Sequence, residues 1–238
     1  MNRESKRPLH FGVGFVYAPA PDLSAGQVLQ FQQRLAQPER GIVFQQTQHQ
    51  PPALTLNRTN PPLTVLMSPA LVQGQLPAVA GVSQLTIFST PPAGLANSFW
   101  EEAEDVLEVY REVWPAPAQL LMKHCVVRFL FEVEGHAFQY LWEQRLHQQT
   151  EALKAFGRPI LGGGLRFVMP APDGSQQPLL EVKVESFLSN PKQLFVEVDA
   201  KWSNTPSNEL DPRQMLTETT EYVDGPVLDF LQSENGND

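Results

Sequence analysis

Two late segments, 180–187 and 194–202, alternate strictly between apolar and polar residues and constrain the fold more than any other feature. A period of two places alternate side chains on opposite faces of a β-strand. Val182 and Val184 therefore point one way, and Lys183 points the other. Because only a few residues separate the two segments, we predict an antiparallel hairpin with one apolar and one charged face.

Shorter segments rich in β-branched and aromatic residues predict further strands. The chain has 22 prolines, which bound these segments and stiffen the loops between them. The predicted strands are 9–17, 42–47, 53–56, 63–68, 85–89, 123–134 and 165–169, and 69–82 is a predicted loop. Many short strands joined by short loops favour a mainly antiparallel sheet.

Apolar residues at spacings of three and four predict four helices. The first, 24–35, has Ser24 as a candidate N-cap and would bury Val28, Phe31 and Leu35. The second, 98–113, has an acidic outer face and ends before Pro115.

The third and fourth predicted helices lie in the second half of the chain, at 136–156 and 211–231. The apolar positions of the third are Trp142, Leu146, Leu153 and Phe156. Gly225-Pro226 is predicted to kink or split the fourth. The apolar phases of these helices and of the strands place Trp142, Phe129, Val184 and Val198 in the core.

These elements predict an α+β fold, with a mainly antiparallel sheet and helices on one face. The element order suggests two similar β-α-βββ-α halves, 1–118 and 119–232, followed by a disordered tail, 233–238. Gene duplication and chance similarity of element order both account for this resemblance between the halves.

The charge pattern argues against nucleic-acid binding. The formal net charge is −9, and a protein that binds a phosphate backbone needs a basic patch. The most basic cluster, Arg3, Lys6 and Arg7, lies in a terminus that we expect to be frayed. No apolar run is long enough to cross a membrane, and we expect neither nucleic acid nor membrane as a partner.

The single cysteine, Cys125, cannot form an internal disulfide, which suits a reducing compartment. Its neighbours Val126 and Val127 favour a buried strand thiol over a nucleophile. Without an apolar signal segment at the N-terminus, the expected location is the cytoplasm.

No motif for a cofactor, a metal or a catalytic triad is present. The five histidines have no metal-ligand spacing. Gly12-Val13-Gly14 lies inside a predicted strand, and the run 162–164 lacks the Lys-Ser or Lys-Thr of a phosphate loop. We therefore assign no catalytic, cofactor-binding or metal-binding residue and expect no cofactor.

The best catalytic candidates are the acidic residues of the hairpin, which can bind a metal or act as acid and base when they cluster. They are Glu181, Glu185, Glu197 and Asp199. Lys183 and Lys201 lie in the same rows, so a solvated face with cross-strand ion pairs is the favoured interpretation.

Two arginines in apolar strands, Arg128 and Arg166, need partners if they are buried. The favoured interpretation is a structural ion pair with Glu132 or Glu185, and the alternative is capture of a ligand.

Five segments of the sequence resemble those of a known group of proteins. They are Pro8-Leu9, Val127-Arg128-Phe129, 180–184, 195–199 and a helix ending near Phe230. In these segments and in element order the chain resembles a group of bacterial conserved hypothetical proteins of about this length. That family has no established activity, so the resemblance implies no site residues.

The sequence therefore favours a non-catalytic binding or assembly protein over an enzyme. The alternatives are a hydrolase that uses the carboxylates of the 180–202 hairpin and a small-ligand carrier with a pocket between sheet and helix. A homodimer is expected as well, because strands 125–133 and 194–202 lack proline and would need a cover if they lay at a sheet edge.

Overall fold

The computed structural model describes residues 1–69, 81–92, 96–115, 119–203 and 211–233 of the 238-residue chain. Within these residues nine strands form a single sheet whose neighbours are all antiparallel. The strands are β1 (Asn2–Ala18), β2 (Gln46–Gln50), β3 (Ala53–Thr59), β4 (Pro62–Pro69), β5 (Ser83–Ser89), β6 (Gln119–Glu132), β7 (Gly164–Met169), β8 (Leu179–Ser186) and β9 (Gln193–Ser203). Their order across the sheet is β2-β3-β4-β5-β1-β6-β9-β8-β7.

The helices pack on one face of this sheet, so the predicted α+β architecture is confirmed. They are α1 (Ala25–Leu35), α2 (Ala96–Val113), α3 (Ala137–Gln139), α4 (Pro212–Tyr222) and α5 (Leu228–Gln232). A π-helical turn, Val223–Val227, joins α4 to α5 at the predicted Gly225-Pro226 break. None of the helices in these ranges combines the length and apolar character needed to cross a lipid bilayer.

The core lies between the helices and alternate residues of the central strands. Phe11, Val13 and Phe15 of β1 are buried towards the helices, and Phe11 packs against Phe99 of α2 with ring centroids 6.0 Å apart. The predicted α1 face is also buried. Phe129, Val184 and Val198 are core residues, as predicted.

The two halves of the chain meet in the middle of the sheet, where β1 pairs with β6. On each side of this pair, the strands of one half follow in reverse sequence order. The order is β5-β4-β3-β2 on one side and β9-β8-β7 on the other. Among the residues that the structure describes, the first half therefore has one strand more than the second. One continuous hydrophobic core spans residues from both halves.

The predicted helix 136–156 is wrong. α3 continues as a π-helical turn over Tyr140–Arg145, and a separate 3₁₀ segment covers Thr150–Phe156. Between them His147 has φ of 52°, a left-handed conformation that no α-helix can contain. The predicted apolar stripe is consequently split, so Trp142 is only half-buried and Phe156 is 72% exposed.

One strand prediction is wrong in most of its range, and the expectation of a frayed N-terminus is wrong. The strand expected at 42–47 begins only at Gln46, because Ile42 is a buried loop residue whose N–H bonds the carbonyl of Leu35 at the end of α1. The N-terminus expected to be frayed is part of β1. Lys6 holds it there through an ion pair with Asp224 (2.6 Å) and a contact over the Phe129 ring.

The two strands proposed as edges for a dimer, 125–133 and 194–202, lie inside the sheet. β6 is covered by β1 and β9, and β9 by β6 and β8. The edges are instead β2 and β7. Residues 70–80 of the predicted loop and 234–238 of the predicted tail fall outside the described ranges.

Candidate functional site

The hairpin acids share one face of the sheet, the face opposite the helices, which we call the open face. Glu181 is paired in register with Asp199, and Glu197 with Lys183. Glu181 and Glu197 are nevertheless only 8% and 7% exposed. Their carboxylates contact cationic side chains of their own and neighbouring strands.

An ion-pair row crosses this face from β6 to β7. Glu197 contacts Arg128 Nε and Lys183 Nζ, each at 2.6 Å. Glu181 contacts Arg166 Nε at 2.9 Å and Lys183 Nζ at 3.3 Å. We name these five side chains the ion-pair row, and in it each carboxylate is held by two cations.

The cations keep both carboxylates ionised. The hydrogen bond from Arg166 lowers the pKa of the Glu181 carboxyl, and Lys183 contributes in the same direction. Burial alone would raise the pKa of Glu197, but the hydrogen bonds from Lys183 and Arg128 outweigh it and lower that pKa. A carboxyl that acts as a general acid needs a raised pKa. The lowered pKa values of Glu181 and Glu197 therefore favour a structural role over proton transfer.

Arg128 and Arg166 therefore form structural ion pairs, although not with the predicted partners. Their carboxylates are Glu197 and Glu181, whereas Glu132 and Glu185 were expected. The register explains this, because Arg128 is directly opposite Glu197 and Arg166 lies diagonally across from Glu181.

Two imidazoles lie over glycines in the centre of the open face. A Cβ atom on Gly12 would come within 2.7 Å of His10 Nε2, and one on Gly14 would overlap His124 Nε2. His10 Nδ1 is 2.6 Å from Thr90 Oγ1, and His124 Nε2 is 3.0 Å from Gln84 Nε2. Glycine is thus required at positions 12 and 14 because the two imidazole rings occupy the space of a Cβ atom. The glycines do not form a dinucleotide-binding loop.

The buried imidazole of His10 predicts loss of stability in acid. Burial lowers its pKa from 6.5 to about 4, helped by the charge of Arg128 and partly offset by Glu197. Because this pKa is depressed on folding, the stabilisation is present above about pH 6.5 and is lost as the pH falls towards 4. Allowing for partial exposure, we expect a loss of about 2 kcal/mol attributable to His10.

Urea titrations at neutral pH and near pH 4.5 would measure this loss in the wild type and in His10→Gln, whose side chain cannot titrate in this range. The carboxylates titrate in both proteins, so the difference between the two pH dependences isolates His10. Identical pH dependences would contradict the prediction.

The remaining sequence candidates are structural. Cys125 is fully buried, and burial raises the pKa of its thiol to about 12 despite a hydrogen bond with Thr219, which disfavours the reactive thiolate. A Cβ atom on Gly164 would overlap the carbonyl oxygen of Val184, so this glycine allows close strand packing. In the described parts of the chain, no group of three or more His, Cys, Asp or Glu side chains could hold a metal ion.

The two sheet edges differ sharply. β2 reads Gln-Thr-Gln-His-Gln and is polar throughout, whereas β7 reads Gly-Leu-Arg-Phe-Val-Met and has apolar residues on both faces. Of the nine large apolar side chains exposed in the described residues, five lie on β7, beside it in the chain, or against these residues. These five are Leu161, Phe167, Val168, Leu188 and Phe230.

An apolar cleft opens beside β7 on the helix side of the sheet. Its volume is about 200 Å³, and its walls come from β7, β8 and the chain around α5. Phe167 meets Phe230 edge to face at 5.6 Å, and Tyr222 donates a hydrogen bond to Met169 Sδ at 3.3 Å. We call this cleft together with the outer side of β7 the β7 edge site.

Sequence reasoning missed the β7 edge site. Strand β7 was predicted, but its place at an edge depends on pairing between distant strands. The available signal was the apolar character of both its faces, which is unusual for a strand that borders solvent.

Comparison with known proteins adds no family. A scan against models of protein families finds no match, and a search of curated proteins finds no significant match either.

Proposed function

We propose that this chain is a non-catalytic binding or assembly protein and that the β7 edge site is its binding surface. The observation that carries the proposal is the coincidence, among the residues that the structure describes, of a strand at the edge of the sheet with exposed apolar side chains and an adjoining cleft. Soluble chains usually protect such edges with charge, proline or a covering element. An extended chain can pair with the edge and place every second side chain in the cleft.

The dimensions of the cleft favour a peptide over a small molecule. Pockets for small ligands commonly have volumes of about 300–1,000 Å³, whereas this one has about 200 Å³. The volume suits one or two apolar side chains. This weighs against a small-ligand carrier that would use this cleft as its pocket.

The ion-pair row weighs against the hydrolase. Glu181 and Glu197 each have two cationic partners, and both pKa values are lowered. A pair of catalytic carboxylates needs environments that separate their pKa values, with one of them raised. The arrangement observed on the open face does the opposite.

Selection of peptides from a random display library would test the proposed function. The protein is immobilised at low density, so that copies do not meet, and is compared with Phe167→Asp and Val43→Asp. Val43 is also an exposed apolar residue, but it lies in the first half of the chain. We expect peptides with alternating apolar residues to bind the wild type and Val43→Asp at least tenfold more tightly than Phe167→Asp, because a carboxylate at position 167 would be buried in the cleft.

Hydrogen exchange locates the bound peptide. Protection of β7 amides on addition of a selected peptide would support the proposal. Failure of the monomeric chain to select any peptide, or equal binding to Phe167→Asp, would refute the β7 edge site as a binding surface.

Two further assignments belong to this proposal. We place the protein in the cytoplasm, supported by a single thiol that is buried. We also retain the resemblance to the family of bacterial conserved hypothetical proteins, supported by the order of its elements.

A further inference from the structure

We propose that the occupant of the β7 edge site is a second copy of this chain, paired antiparallel along β7 with Phe167 on the two-fold axis. The pairing would join two sheets of nine strands into one continuous sheet. This inference rests on the proposed function, since it names the partner of the same site.

The first argument is the register that a two-fold axis allows. Residues directly opposite each other on two antiparallel strands point to the same face of the sheet. Under a two-fold axis this holds only when the residue on the axis faces its own copy, because side chains of consecutive residues point to opposite faces. Within β7 the possible centres include Leu165, Arg166, Phe167 and Val168. Each centre gives a different set of cross-strand pairs.

Only the centre at Phe167 gives a favourable set. An axis through Arg166 places two guanidinium groups opposite each other, which is repulsive. An axis through Leu165 sets the glycine run 162–164 against the side chains of residues 166–168. An axis through Val168 pairs only residues 167–169 before Pro170, which has no N–H, falls opposite Arg166, whereas an axis through Phe167 pairs residues 165–169 and meets Pro170 only opposite Gly164, at the end of β7.

With Phe167 on the axis, the helix side of the new pair is entirely apolar. Leu165 of each copy faces Met169 of the other, and the two Phe167 rings meet at the centre. Each ring already packs edge to face on Phe230, so the dimer would extend this aromatic cluster across the axis. Phe167 and Phe230, which are 40% and 37% exposed, would lose contact with water, and cross-strand aromatic pairs are favourable.

The second argument is charge complementarity on the open face. In this register Arg166 of the second copy lies opposite Val168, and Val168 is paired in turn with Glu181 on β8. Only Val168 therefore separates the guanidinium of one copy from the carboxylate of the other. Arg166 contacts Glu181 of its own copy at 2.9 Å, but its side chain is 62% exposed, so it can exchange this partner for Glu181 of the other copy across the two-fold axis.

Cross-linking through an introduced cysteine tests the register. The natural Cys125 is buried and poorly ionised, so the wild-type chain is an unreactive control. In Phe167→Cys the two Cα atoms would be about 4.5–5.5 Å apart, within disulfide reach. In Val168→Cys they would be about 8 Å apart, beyond the limit of about 7 Å.

Under mild oxidation we expect Phe167→Cys to yield a covalent dimer in several-fold excess over Val168→Cys. We also expect light scattering over a tenfold concentration range to give twice the chain mass of 26.6 kDa for the wild type. The matched variants Phe167→Asp and Val43→Asp should give one and two chain masses respectively.

A wild-type mass that stays at 26.6 kDa would overturn the dimer, and preferential cross-linking of Val168→Cys would overturn the register. These failures are separable from failure of the proposed function. A monomer that still selects peptides at β7 refutes the second copy alone, whereas a monomer that selects none refutes both.

Discussion

Replacing Phe129 with alanine is expected to lower the free energy of unfolding by about 3–5 kcal/mol. Phe129 is 2% exposed and lies on β6 in the middle of the sheet. Its ring packs against Phe11 at 5.9 Å and Phe131 at 6.4 Å, and Lys6 Nζ lies 4.2 Å from its centroid. The variant loses the transfer energy of the ring and leaves a cavity that strands fixed on both sides cannot close.

Phe167→Ala is a matched control for this prediction, because it removes the same ring from an edge strand where 40% of the residue is exposed. Urea denaturation of both variants, under conditions where each is monomeric, would give the comparison. We expect the control to lose about 1 kcal/mol. A loss of less than about 1 kcal/mol for Phe129→Ala would contradict its place in the core.

The second large effect is expected at Gly14, where alanine should cost about 2–3 kcal/mol. The new methyl group would overlap the imidazole of His124. That ring is largely buried and bonded to Gln84, so moving it loses packing and a hydrogen bond together. A small addition is therefore destabilising in a strand that otherwise favours larger side chains.

A double-mutant cycle assigns the cost to this one contact. In a His124→Ala background we expect Gly14→Ala to be close to neutral, with a coupling energy of about 2 kcal/mol. Gly26→Ala, where a Cβ atom would meet nothing within 4 Å, should be neutral or stabilising in its helix. Additive effects of the Gly14 and His124 substitutions would show that the imidazole is not what requires the glycine.

The fold class could be predicted because its signals are local. Alternation in β8 and β9 and the spacing of apolar residues in α1 and α2 each lie within a single element. The failures have identifiable physical causes. Residues 2–7 carry charged and polar side chains on both faces and resemble a free terminus, and it is contacts with distant residues, among them Asp224, Phe129 and the pairing with β6, that hold them as a strand.

The candidate site could not be predicted for a different reason. Whether a strand lies at an edge is a property of the whole sheet, and here it follows from the pairing of β1 with β6, more than a hundred residues apart. The sequence correctly grouped the hairpin acids on one face, but their neutralisation depends on Arg128 and Arg166 from other strands. Local patterns thus identified the carboxylates, while long-range pairing determined their role.

The central pairing of β1 with β6 also has a consequence for biosynthesis. β1 leaves the ribosome before β6, so a nascent chain that has already assembled β1 to β5 displays β1 as an uncovered edge until the second half emerges. This edge includes the apolar stretch from Phe11 to Tyr17, which is fully buried in the finished protein. A strand edge that is exposed during synthesis is therefore buried in the finished protein, and translational pausing between the two halves would prolong its exposure.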